Sequence, residues 1–212
     1  RGDYSDEWDV LEVFNGYDIA RPEYVERVFQ DWMAMLARGR RVVANGSSDS
    51  HRIPFHLAGY PRTYVRVPDG RIDDGRAIVA ALRAGRAFVT SGPFLELEVD
   101  GRGPGEAVQA EEGEVRAHVV VRAPPWLHVG WVDLYVGDTI ARTIPIETEP
   151  GEPRPVTRLD EQVSLPVEGD AFVVARARTE RTHDGFYGRG GVYPEAFTNP
   201  IWIDGDGDGH VP

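Results

Sequence analysis

The chain has 212 residues, 41% of them hydrophobic, and a formal net charge of −12 from 35 acidic residues against 23 basic ones, every one of these an arginine. That length allows one large or two modest domains with a sizeable core. The arginines are dispersed among acids, with no basic stripe beyond Arg38, Arg40 and Arg41. This argues against nucleic acid as a main partner and against attraction to an anionic membrane. No run approaches the roughly 20 apolar residues of a membrane span, and the absence of cysteine removes disulfides and thiolate chemistry.

Asp9 to Asn15 reads as a buried strand closed by the turn signal Asn15-Gly16. Arg21-Pro22 opens a helix, with proline tolerated in the first turn. Tyr24, Val25, Val28, Phe29, Trp32, Met35 and Leu36 recur at three and four, giving one apolar stripe that ends at Gly39. Val42 to Asn45 is the next strand, so residues 9–45 form a strand–helix–strand unit that implies parallel pairing. It is the one clear βαβ signal, too little to close a barrel. Tyr64 to Val67 is a short strand. Asp73 and Asp74 suit the positive end of a second helix carrying Ile78, Val79 and Leu82 and stopped by Gly85. Ala87-Phe88-Val89 follows, and Ser91-Gly92-Pro93 marks a domain boundary, with Gly92 and Pro93 suited to a tight exit.

From Phe94 onward the pattern changes. Runs near 94–99, 115–123, 129–136, 139–146, 161–167, 170–178 and 199–203 have strand character and are separated by Gly, Pro and acidic turns. Val115, Ala117, Val119 and Val121 alternate with Arg116, His118, Val120 and Arg122, so one face turns inward. About seven short strands suggest an immunoglobulin-like β-sandwich.

The polar run Asn45-Gly46-Ser47-Ser48-Asp49-Ser50-His51 directly follows the apolar Val42-Val43-Ala44. Side chains two apart on extended backbone point the same way, so Asp49 and His51 can converge on one point. An oxygen and an imidazole at that spacing suit Zn, Mn or Fe. A polar turn, with Asp49 capping backbone amides and His51 merely exposed, is the other reading of the same residues.

Five segments widen this reading: Leu11-Glu12-Val13-Phe14-Asn15-Gly16, Gly39-Arg40-Arg41-Val42-Val43, Ser48-Asp49-Ser50-His51, Gly59-Tyr60-Pro61-Arg62, and Leu82 through Pro93. In this order they resemble the C-terminal half of PHP-domain metallohydrolases, particularly the branch related to carbaryl hydrolase, over roughly residues 8–93. The resemblance implies an α/β fold class: part of a PHP-type distorted βα barrel over residues 1–92, followed by the all-β sandwich over 93–212. It implies that Asp49 and His51 are the closing metal ligands of a site for divalent ions. The reaction would be hydrolysis of a small-molecule ester, either a phosphate ester or a carboxylic or carbamate ester. Such a site opens with His-x-His near its N-terminus, whereas the first histidine here is His51. The chain is therefore expected to be a C-terminal portion that lacks an N-terminal barrel half and is not catalytic alone.

Other candidates lie around this motif. Arg62 could hold an anionic substrate group by paired hydrogen bonds or form a surface ion pair, and His56 could line the mouth of the site. Glu12, between Leu11 and Val13, and Asn15, at the same strand's end, are expected as outer supports of the ligands. Asp204, Asp206 and Asp208 alternate as in a calcium loop but lack the closing bidentate Glu, so a flexible acidic terminus competes with calcium binding. Trp126, Trp131, Tyr135, Trp202, Phe186, Tyr187 and Tyr193 could form a binding face on the β domain or fill its core. A non-catalytic binding or scaffolding module is the alternative to the hydrolase.

Overall fold

A computed structural model describes residues 8–52, 56–147, 154–183 and 191–212. Its N-terminal unit is built as the periodicity requires. β1 (Val10–Asn15) and β2 (Val43–Ser47) pair in parallel, and α1 (Pro22–Leu36) crosses between them. Pro22 sits in the first turn of α1, and Val25, Phe29, Trp32, Met33 and Leu36 are its buried residues. Met33 takes the inward place that the spacing would equally allow Met35. Trp32 Nε1 donates to the Val42 carbonyl at 2.8 Å, locking the helix to the chain that enters β2.

Beyond this unit no barrel develops, and the α/β expectation is corrected. The described chain is 41% strand and 15% helix, with two helices, and its sheets are predominantly antiparallel. β3 (Arg62–Val65) is followed by α2 (Gly75–Arg83), whose amides Arg76 and Ala77 are capped by the Asp74 carboxylate. α2 leads to β4 (Ala87–Thr90), which returns antiparallel to β3 and then pairs with β12 (Ala196–Thr198). The physical reason is long-range: β4 pairs antiparallel with β3 and with β12, a strand from the far end of the chain, so β3 and β4 complete the larger β-sheet.

The remaining strands are β5 (Phe94–Val99), β6 (Ala107–Gln109), β7 (Glu114–Arg122), β8 (Trp131–Val136), β9 (Thr139–Pro145), β10 (Thr157–Pro166), β11 (Ala171–Arg178) and β13 (Ile201–Asp204). They form a β-sandwich-like body. One sheet is β10-β7-β5; the other runs β3-β4-β12-β11-β13-β6, with β8 on the opposite edge of β11 and β9 beyond it. β12 and β13 share one edge of β11, while β13 and β6 pair in parallel. Residue 92 thus precedes a change of sheet, from β4 in the larger one to β5 in the smaller.

Period-two alternation divides the apolar residues between two cores. Leu95, Leu97 and Val99 of β5 meet Val115, Ala117, Val119 and Val121 of β7 and Val173, Ala175 and Ala177 of β11 between the two sheets. Phe172 and Val174, on the other face of β11, join Phe29, Trp32, Val89 and Phe197 beneath α1. β11 is buried from Ala171 to Ala177 because both its faces are covered.

Two polar groups tie the βαβ unit to the sandwich. Asn199, wholly buried, accepts from Ala44 N–H at 2.8 Å through Oδ1, and its Nδ2 donates to Ala44 O at 3.0 Å and Ala87 O at 3.1 Å. Arg176 projects from the α1 side of β11, 4.0 Å over the Phe29 ring, and pairs with Glu195 and Glu26, each at 2.8 Å. Burial works to raise the Glu26 carboxyl, but Arg176 and its hydrogen bonds outweigh it and hold the group below the usual carboxylate range.

His128 is also buried, with Nδ1 2.6 Å from Thr179 Oγ1 and its backbone N–H donating to His183 Nε2. Burial, then Arg181, depresses its proton affinity against the opposing pull of Glu180.

Two outcomes follow from these buried polar groups. Asn199→Ala orphans the N–H and C=O of Ala44, each costing about 1–3 kcal/mol, and is expected to lower the urea midpoint while leaving antiparallel β content by circular dichroism. The neutral form of His128 is favoured by folding, so its contribution is complete above the ordinary imidazole pKa of about 6.5. It is lost as pH falls below that value toward the depressed one. Stability measured by urea titration between pH 7 and pH 5 should fall, and His128→Gln should flatten that slope.

Candidate functional site

The C-terminal ends of β1 and β2 open on the same side because the strands are parallel, so the residues after each strand share one rim. Register sets Glu12 opposite Asn45 and Asn15 opposite Ser47, with an irregularity between Glu12 and Phe14. Glu12 is exposed rather than buried, and its carboxylate accepts from Ser47 Oγ and from Asn15 Nδ2. Asn15 Oδ1 in turn accepts from Tyr17 N–H at 2.7 Å, fixing the turn out of β1. The two expected supports therefore brace each other and the β2 terminus. Asn45 Oδ1 is buried with no hydrogen-bond partner among the described residues.

Asp49 lies past the end of β2 with φ +48°, in the left-handed region that a non-glycine residue seldom adopts. It contributes to two adjoining hollows. One is a cleft of about 350 Å³ that also takes in Glu12, Asn15, Tyr17 and Asp18. The other is a tight hollow bounded by Gly16, Tyr17, Ser48, His56, Leu57 and Tyr60. Gly16 is required here by a close approach, since a Cβ on it would lie 2.2 Å from the Ser48 carbonyl oxygen.

His51 and His56 stand beside Asp49 with ring centroids 6.1 Å apart and planes at 90°. His51 Nδ1 is 2.8 Å from the Asp49 carbonyl oxygen, which can only accept, so the proton is assigned to Nδ1 and the Nε2 lone pair is free. His56 Nδ1 accepts from the His51 backbone N–H at 2.8 Å, leaving Nε2–H as an outward donor in the neutral ring. One histidine thus offers a metal-type lone pair and the other a hydrogen-bond donor.

Arg62 is turned elsewhere. It lies on the face of β3 opposite Thr63, with Nη1 donating to Gly59 O at 3.0 Å and Nε to Tyr64 Oη at 3.1 Å. Its guanidinium sits over the Tyr60 and Tyr64 rings, 4.9 and 5.2 Å from their centroids. Thr63, on the other face, bonds both N–H and C=O of Gly46 and so pins β2 to β3.

A second acidic cluster lies at the end of β13. Carboxylate oxygens of Asp170, Asp204 and Asp206 come within 4.8 Å of one another, the one set of three potential ligand atoms so placed among the described residues. Asp204 accepts from Gly207 and Gly209 amides, and Asp170 from the Gly205 amide. Asp208 instead accepts from His210 N–H, which holds its carboxyl below the usual range. Asp170 carried no signal in the sequence. The two loops approach so closely that a Cβ on Gly205 would meet the Gly169 carbonyl at 1.8 Å, and this brings Asp170 in.

Of the aromatic residues considered for a binding face, Tyr135 and Trp202 belong to the core beneath α1, and Trp131 donates to Asp133. Trp126 is exposed, whereas Phe186 and Tyr187 lie outside the described residues. No described helix is long and apolar enough to cross a membrane.

The chain matches no known family model and no curated protein.

Because Gly16 supports Ser48 directly before Asp49, Gly16→Ala is expected to cost about 1–3 kcal/mol and to shift the Ser48–His51 backbone. Chemical-shift changes at the Asp49 and His51 amides would report the displacement; unchanged shifts would place the required slack in β1.

Proposed function

We propose that the chain is part of a PHP-type metal-dependent hydrolase, to which it contributes Asp49 and His51 as ligands for a divalent cation such as Zn, Mn or Fe. The observation that carries this reading is the His51 ring. Its Nδ1 is engaged by the Asp49 carbonyl and lies 3.3 Å from the Asp49 carboxylate, which leaves Nε2 free next to a residue held in a left-handed conformation.

The donor types suit a divalent ion, yet two protein ligands fall short of the three or four of a competent zinc site. On this reading further ligands complete the site. Glu12 faces the same cleft as Asp49, so the rim gathers carboxylate oxygens that a cation would satisfy. A bound cation would supply a water of lowered pKa and polarise the scissile bond of a phosphate, carboxylic or carbamate ester. The chain's own residues hold and orient. Asp49 and His51 fix the ion, the Glu12–Ser47–Asn15 bonds stiffen the rim, and His56 Nε2–H can donate to a developing oxyanion.

Calorimetric titration of this chain with Mn2+ or Zn2+ tests the reading. Weak binding is expected, falling roughly 10- to 100-fold or more in His51→Ala and Asp49→Ala, at least the loss seen when a ligand's supporting partner is removed, with unchanged circular dichroism. Binding that survives both substitutions but disappears in Asp170→Asn would move the metal to the β13 loop and leave a non-catalytic module as the better description.

A further inference from the structure

β3 and β4 end the larger sheet, and β5 ends the three-stranded one. A groove of about 850 Å³ is lined by residues of β3, β4, β5 and the turn that follows β5. Its floor is aromatic. Tyr64 and Phe88, direct partners across β3–β4, stack at 5.0 Å between centroids, and Phe94 meets Phe88 edge-on at 4.9 Å.

Two residues further along the same face stand Arg66 and Arg86. The backbone bond from Arg66 N–H to Arg86 O, at 2.7 Å, places them side by side on the adjoining chains. Like charges directly opposite one another across strands destabilise a sheet. In a chain with 35 acids to 23 arginines, neither guanidinium makes an ion pair with any described residue. Of the acids along the groove, Glu96 pairs with Arg122, and Glu106 accepts from the Gly103 amide at 2.8 Å. Glu98 shares the outward face of β5 with Phe94 and also lines the groove.

We infer that this groove is a binding site for an oxyanion, a phosphate monoester or a carboxylate, carried on an apolar or aromatic group. The anion sits between Arg66 and Arg86, where it relieves their repulsion and accepts charge-assisted hydrogen bonds. The apolar part lies along Phe88 and Phe94, whose ring edges are the positive part of the aromatic quadrupole. The backbone edge of β5 is not the attachment point, because Leu95 and Leu97 are buried to 1% and 2% exposure. The ligand is held by side chains. The site is separate from Asp49, because Thr63 and Val89 face β2 and the core beneath α1 whereas their neighbours Tyr64 and Phe88 face the groove.

The experiment uses phenyl phosphate, benzoate and inorganic phosphate as probes on the whole chain, each against sodium chloride at matched ionic strength. Thermal melting reads stabilisation of the folded state by a ligand, and calorimetry reads affinity. Phenyl phosphate or benzoate should raise the melting temperature more than inorganic phosphate does. Whichever of the two is the stronger identifies the anion. Arg66→Gln and Arg86→Gln should each weaken binding roughly tenfold, the loss of one charged hydrogen-bonding partner, and Asp49→Ala should leave it unchanged. Phe94→Ala should reduce affinity for the aromatic probes alone. Equal affinity in the arginine variants, or no stabilisation by any probe beyond that of sodium chloride, would overturn the site. Loss of binding in Asp49→Ala would overturn it too, by moving the anion to the β2 rim.

Discussion

The attachment of the βαβ unit to the β-sandwich rests on the side chain of Asn199. Its amide presents an acceptor to Ala44 N–H and a donor to Ala44 C=O, the pair of bonds that a neighbouring strand would give the edge of β2, while the second Nδ2 proton reaches Ala87 on β4. A buried, unpaired backbone group is costly, so β2 could not sit against the sandwich without such a substitute. An asparagine does this because it carries both functions in one planar group. Since Asn199 stands between β12 and β13, where β11 passes from one edge partner to the next, the same residue fixes the corner of the large sheet and the position of the candidate rim.

Arg176 solves the neighbouring problem in charge rather than hydrogen bonding. A guanidinium on the most buried strand is tolerable only when its charge is met on the spot, and here two carboxylates from different elements meet it while Phe29 covers its face. Glu26 comes from α1 and Glu195 from the segment before β12, so the ion group also specifies the rotation of the helix over the sheet. The apolar stripe of α1 by itself fixes only which side faces inward. Arg178, two residues on, reaches Asp133 and Glu26, extending the same arrangement toward the surface.

Local pattern carried much of this in the sequence. The three- and four-residue spacing of Val25, Phe29, Trp32 and Leu36 announces α1, and the alternation from Val115 to Val121 announces β7, because each element buries one face along its own repeat. What was hidden is pairing over long separations. Nothing near Arg62 or Ala87 tells that β3 returns antiparallel to β4 or that β4 joins β12, more than 100 residues later. Asp49 and His51 were legible as a chemical pair from their spacing. The free Nε2 of His51 depends on a backbone turn, and Asp170 and the Arg66–Arg86 pair depend on tertiary approach, so no residue count reveals them.

The two candidate sites share a wall, and its alternation keeps them apart. Thr63 and Val89 point from β3 and β4 toward β2, where Thr63 clamps Gly46 and Val89 packs so close to Gly46 that a Cβ there would meet it at 2.4 Å. Tyr64 and Phe88, their neighbours in the two strands, point into the groove. A slip of β3 by one residue against β4 would turn Arg62 and Tyr64 toward the β2 terminus and Thr63 into the groove. The hydrogen bonds of Thr63 to Gly46 therefore do more than join β2 to β3. They hold the register on which both the Asp49 rim and the arginine pair depend, although neither site contains the threonine.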